Sequence, residues 1–143
     1  MPIEWTISHG ARLVLAVMKG DLQPDSVRSF LAAIDAAGAR PYRKIIDVST
    51  LTARFDVGTI AAFAAVIRER EVGSAVGPMA LVTGTGAPAR AARTFADRAQ
   101  LRRPIRVFAE QHEARQWLDR QADRPVDPEA VAGNAPLRPL EIE

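Results

Sequence analysis

Segments of strand periodicity alternate along this chain with segments of helical periodicity, and that alternation restricts the fold more than any other feature. Ile3, Trp5 and Ile7 alternate with Glu4, Thr6 and Ser8, the two-residue repeat of a strand. Arg12 to Met18 is more continuously apolar and reads as a buried strand, after a turn at His9-Gly10. So short a connection makes the pair an antiparallel hairpin. Pro24 and Asp25 then suit the first turn of a helix, where a missing N–H costs nothing and negative charge meets the positive end of the dipole. Val27, Phe30, Leu31 and Ile34 share one face of that helix, and Gly38 stops it.

Three further strand and helix pairs follow. Lys44 to Val48 reads as the third strand, and a helix runs from about Val57 to Arg70. Its inward residues are Val57, Ile60, Phe63, Ala64 and Ile67, with Arg68, Glu69 and Arg70 facing water. Gly73 and Gly77-Pro78 break it. Met79 to Val82 is the fourth strand. The helix opened by Pro88 has a small inner face of Ala91, Ala92, Phe95 and Ala99, and Pro104 ends it. Ile105 to Phe108 is the fifth strand, and Glu110 to Arg120 the last helix, with Ala114, Trp117 and Leu118 inward. A hairpin followed by helix and strand units predicts an α/β fold: a mixed, largely parallel five-stranded sheet opened by an antiparallel hairpin, with about four helices. The domain spans residues 1–121. Pro125, Pro128, Pro136 and Pro139 then punctuate a stretch of neither period, so residues 122–143 read as an extended tail that Leu137, Leu140 and Ile142 could anchor.

Composition excludes several functions. A chain of 143 residues without cysteine has no disulfides and no thiolate metal site, and fits a reducing compartment such as the cytoplasm. The N-terminus lacks the pattern of a signal peptide, and no apolar run approaches the length of a transmembrane segment. All but Lys19 and Lys44 of the 19 basic residues are arginine, yet the net charge is only +2. The densest basic cluster, Arg98, Arg102, Arg103 and Arg106, is short and has Asp97 beside it, so nucleic-acid binding is not expected. His9 and His112 have no second ligand at a useful spacing, so no metal is expected. There is no nucleophile elbow and no base–nucleophile pair, and Glu69 and Glu71 read as solvated helix-end charges. Trp5 and Trp117 read as core residues.

Two loops could carry chemistry. Gly84 and Gly86 lie in a turn before a helix start, with Arg90 and Arg93 one turn apart behind them, an arrangement compatible with an anion site. The Lys-Ser or Lys-Thr of a phosphate loop is missing, and so is the third glycine of a dinucleotide fingerprint, so no cofactor is expected. The stretch KIIDVSTLTARFDV, residues 44–57, ends in a loop. Asp47 there suits acceptance of loop N–H groups, Asp56 suits capping of the next helix, and Ser49, Thr50 and Thr52 suit satisfaction of turn backbone. Phe55, between Arg54 and Asp56, is a large ring that wants cover from the core, a ligand or a second subunit.

The element order, with IIDVSTLT on the third strand and a helix starting just past Asp56-Val57-Gly58, resembles the STAS domains of anti-sigma-factor antagonists. It is more closely similar to the bacterial stage II sporulation AA-like proteins, whose pattern also includes PIRVF, here Pro104 to Phe108, and EARQWL, here Glu113 to Leu118. The resemblance covers roughly residues 1–121 and leaves the tail out. In the antagonists, an Asp-x-Ser ends the third strand, and a serine phosphorylated by a partner kinase opens the next helix beside a glycine. Asp47-Val48-Ser49 matches the first part. Counted without a gap, Gly58 meets the family's glycine and Asp56 falls on the phosphorylated serine. With a one-residue slip, Val57 takes the serine's place. Either way no hydroxyl stands there, and Thr59 is the nearest.

What the resemblance implies is a non-enzymatic regulatory or protein-interaction module without the phosphorylatable serine. It would work through a loop comprising Asp47, Ser49, Arg54, Phe55, Asp56, Val57, Gly58 and Thr59. The alternative is a carrier or sensor of a lipid or other small hydrophobic ligand: sporulation AA-like proteins resemble lipid-transfer domains in fold, the helix set is Ala-rich and apolar, and the sheet and second helix could part around such a molecule. A homodimer is the default assembly for a small soluble protein.

Overall fold

The computed structural model describes residues 2–52, 56–71, 75–101 and 103–121. Arg54, Phe55, Arg102 and the tail 122–143 lie outside the described residues, as does the side chain of Val57. Strands β1 (Ile3–Ser8) and β2 (Leu13–Gly20) form the expected hairpin. Helix α1 (Pro24–Ala36), β3 (Arg43–Leu51), α2 (Val57–Glu71), β4 (Met79–Val82), α3 (Ala87–Arg98), β5 (Ile105–Phe108) and α4 (Gln111–Gln121) follow. The five strands lie across one sheet in chain order, β1 antiparallel to β2 and the other pairs parallel.

Chain order across the sheet has a geometric consequence. Each strand-to-strand crossover steps the same way, and crossovers of one hand then leave their helices on one face. Helices α1, α2 and α3 do share a face, α1 against α2 and α2 against α3. Beneath them Val14, Ala16, Met18, Ile46, Met79 and Leu81 form the larger core with Val27, Phe30, Leu31, Ile34, Phe63 and Ile67. Alternate residues of the same strands point the other way. Leu13, Ile45, Ala80 and Val82 pack under Ala114, Trp117 and Leu118 of α4. Burying each large side chain of these layers contributes roughly 1.5–3 kcal/mol. Trp117 is buried as expected, while Trp5 is only half-buried and meets Phe30 edge-on, with ring centroids 5.2 Å apart.

Several boundaries and environments differ from the sequence-based expectation. β3 continues through Ser49 and Thr50 to Leu51, because a register shift in β2 lets Lys19 and Gly20 pair with Thr50 and Leu51. α3 stops at Arg98, well before Pro104: Ala99 caps it, and Gln100 takes a left-handed φ of 53°. Gly77 is more than a helix breaker. A Cβ there would collide with the carbonyl oxygens of Pro41 and Tyr42, so only glycine lets the chain pass into β4.

The largest correction is electrostatic. Glu71 is not solvated, and Arg103 is not part of a surface basic cluster. Their side chains are each 2% exposed and pair at 2.9 Å, joining the end of α2 to the segment before β5. The sequence offered no sign of this, because the partners are 32 residues apart. Arg70 is half-buried rather than facing water, and with Arg40 it donates to Asp35. Burial works against ionisation of Asp35, but the hydrogen bonds and charge of Arg40, then Arg70, outweigh it and lower its carboxyl pKa.

Lys44 is a further buried ionisable group, at 1% exposure. Its Nζ donates to the carbonyl oxygens of Arg40 at 2.7 Å, Tyr42 at 2.8 Å and Ala39 at 3.4 Å. The amine thus meets three carbonyls where the chain leaves α1, and it has a donor for each of them only while it holds its proton. Burial, with the repulsion of Arg103 next, lowers its pKa from the usual 10.5 to about 6. Below pH 6 folded and unfolded chains both hold this proton. Between about 6 and 10.5 only the unfolded chain holds it, so stability rises with pH across that window. The expected slope approaches 1.4 kcal/mol per pH unit. Urea unfolding at pH 6 to 9 should show that rise in the wild type and its loss in Lys44→Met; parallel pH profiles would contradict this assignment.

Candidate functional site

The carboxyl ends of β3 and β4 bring the two loops singled out above together. Asp47 Oδ1 accepts both the Ser49 N–H, at 2.9 Å, and the Ser49 hydroxyl, at 2.6 Å. Gly84, in a left-handed turn at φ 65°, lies against Ser49: a Cβ on it would stand 3.6 Å from the Ser49 Cβ. The glycine turn has few amides to offer an anion. The Gly84 N–H donates to Ala109 O, and Pro88 has none. Gly86 stands at the N-cap of α3, with Arg90 and Arg93 exposed on the helix. Among the described residues no group of three or more His, Asp or Glu could hold a metal ion, and no helix is long and apolar enough to cross a membrane. His9 lies exposed, its Nδ1 2.8 Å from the Tyr42 hydroxyl, and His112 lies exposed beside Glu110.

Asp56 and Thr59 build the start of α2. The Thr59 N–H donates to Asp56 Oδ1 at 2.8 Å, and the Ile60 N–H to the Asp56 carbonyl. Hydrogen bonds from the Thr59 backbone, then its side chain, hold the Asp56 carboxyl below its ordinary range. The charge is therefore fixed at neutral pH, at the end of the helix whose dipole favours it. Gly58, Ala61, Ala62 and Ala65 form a strip along the exposed side of α2, at helical spacing. The buried side carries Ile60, Phe63, Ala64, Val66 and Ile67. α2 is thus apolar on both sides, a pattern that usually marks a covered helix.

Behind α2 lies a pocket, partly open to solvent, with about 100 Å³ of space. Its floor is Met18, Ile46, Val48, Leu51, Met79 and Leu81 of the sheet. Leu22, Val27, Phe30 and Leu31 wall one side, Pro88, Ala91, Ala92 and Phe95 the other, and Ile60, Phe63 and Ile67 roof it. Every lining side chain is apolar. These positions were legible as the cores of separate helices; their convergence was not, because it follows from three crossovers sharing one face. The outward strip of α2 did leave a signal, in a helix with alanines on several sides. Replacing Asp56 by Ala should free the first turn of α2, seen as faster amide exchange at Thr59, while Asp56→Ser should preserve protection. Equal exchange in all three proteins would remove the cap from the account.

With this geometry in place, comparison with known proteins is informative. A family model described as SpoIIAA-like matches residues 13–119. No curated protein matches the chain. Among solved structures, an uncharacterized protein with a SpoIIAA-like fold from Shewanella loihica PV-4 superposes with a TM-score of 0.56. The alignment covers 81% of this chain and 93% of that one at 14% identity, and so speaks to the fold alone. The hairpin-led sheet, the strands in chain order and a family match spanning most of the domain agree: the chain belongs to the SpoIIAA-like family.

Proposed function

We propose that this chain is a non-enzymatic STAS-type interaction module, acting in the bacterial cytoplasm, whose α2 presents a permanent rather than a switchable charge to a protein partner. The observation that carries the reading is the exposed strip Gly58, Ala61, Ala62 and Ala65 beside the capping carboxylate of Asp56. Small side chains let a partner's backbone approach closely, and the aspartate marks the edge of the contact. A phosphoserine would carry roughly −1.5 to −2 charges, against about −1 for Asp56, and could be erased; the aspartate cannot. In this reading the module stays in one signalling state, and control comes from elsewhere.

A second reading is a carrier or sensor of a small hydrophobic ligand, and the cavity behind α2 favours it. The two differ in what accompanies the native protein. Ala62→Glu keeps a good helix former in α2 and puts a charge on the strip. Pull-downs from the host should lose a partner with Ala62→Glu or Asp56→Lys and retain it with the wild type. Identical partner sets would refute the interaction reading. Native mass spectrometry of freshly purified protein should give the bare chain mass; a stoichiometric bound molecule would instead establish the second reading.

A further inference from the structure

The sheet ends in two edge strands, and they are built differently. β5 has four residues, follows Pro104 and carries the exposed Arg106 at its second position. Brevity, proline and charge are devices that keep an edge strand from pairing with another chain. β1 has six residues, Ile3–Ser8, with no proline, glycine, lysine or arginine among them. Its ladder with β2 runs from end to end without a bulge. One bond fixes where its free groups point. The Lys19 N–H donates to the Pro2 carbonyl at 2.7 Å, so these two residues face each other as a hydrogen-bonded pair. Such pairs alternate along an antiparallel ladder. Glu4, Thr6 and Ser8 therefore turn their N–H and C=O groups to β2, and Ile3, Trp5 and Ile7 turn theirs outward. Among the described residues no strand pairs with that outer side.

We propose that β1 is the interface of a symmetric homodimer, in which two copies pair edge to edge and antiparallel about a two-fold axis at Trp5. A second copy fits because the strand is complementary to itself in this register. Trp5 faces the partner's Trp5, and Ile3 faces the partner's Ile7, so every outward N–H meets an outward C=O. Between these pairs Glu4 stands opposite the partner's Thr6, and no like charges face each other directly. Each Glu4 is also held by Lys19 of its own chain at 3.0 Å. Trp5 and Ile7, half-buried on the side of the helices, gain cover from their counterparts. The chain's own tail suits this edge less well. Its four prolines leave 129–135, EAVAGNA, as the longest proline-free stretch, and alanine, glycine and asparagine are weak strand formers. Because α1 lies between β1 and α2, the dimer would leave both α2 strips open and present them together. The pairing does not depend on the partner reading above, and a monomer would leave that reading standing.

The test combines sedimentation equilibrium of the whole chain with amide exchange in β1. The mass should be twice the 15.5 kDa of one chain, and the amides of Ile3, Trp5 and Ile7 should be protected in the dimer. Two substitutions at the exposed Thr6 check the register without disturbing the core. Thr6→Glu sets like charges opposite each other at two places and should weaken the dimer roughly fivefold at low salt. Thr6→Lys sets a cation opposite the partner's Glu4 and should tighten it by a similar factor. The mass of a single chain at every concentration would overturn the proposal; protected amides at Ile3, Trp5 and Ile7 in such a monomer would assign the edge to the tail instead. A dimer indifferent to the sign of the charge at position 6, or one whose three outward amides exchange freely, would have its interface elsewhere and overturn the proposal as well.

Discussion

Strand order is the constraint from which the rest of this molecule follows. Because β2, β3, β4 and β5 succeed one another across the sheet in chain order, their connecting helices gather on one face, and among the described residues α4 alone is the helix on the other. α2 sits between its two neighbours and is held chiefly by them. Ridges of α1 and α3 close the flanks, the sheet closes the bottom, and the middle is left incompletely filled. The cavity and the exposed strip are two sides of one helix for that reason.

The amino edge of the sheet is built differently. There Lys44 gathers three carbonyls, Glu71 holds Arg103, and Asp35 holds Arg40 and Arg70. A buried pair such as Glu71 and Arg103 adds little net stability over well-packed apolar residues, but removing one partner leaves a buried charge and costs several kcal/mol. Their effect is positional: they tie the end of α1, the end of α2 and the segment before β5 together. One end of the helix layer is thus pinned by ion pairs and the Lys44 hydrogen bonds, while at the carboxyl end the Asp56 cap and the Ser49 turn rest on local hydrogen bonds.

The sequence made the architecture legible because every strand and helix carries its own periodicity. Ile3 to Ser8 alternates, Val27 to Ile34 steps by three and four, and Gly38 takes the positive φ of a helix stop, 73°. The roles of Asp47 and Asp56 as acceptors of nearby N–H groups were legible too, since both bonds are local. What escaped was whatever depends on long-range pairing. Glu71 looked like a helix-end charge until β5 brought Arg103 to it. Ser49 and Thr50 looked like loop until a shifted register in β2 extended the ladder. Phe30, Phe63 and Phe95 looked like three independent core residues, and only the shared face makes them line one pocket.

The central claim is that α2, though packed on the core through Phe63 and Ile67, leaves an apolar pocket between itself and the sheet. Xenon enters dry apolar cavities without needing polar partners, so crystals pressurised with it give the most direct measurement. The account predicts xenon density beneath α2, among Phe30, Phe63 and Phe95, with the helix unmoved. Continuous side-chain packing there, and no xenon, would contradict it.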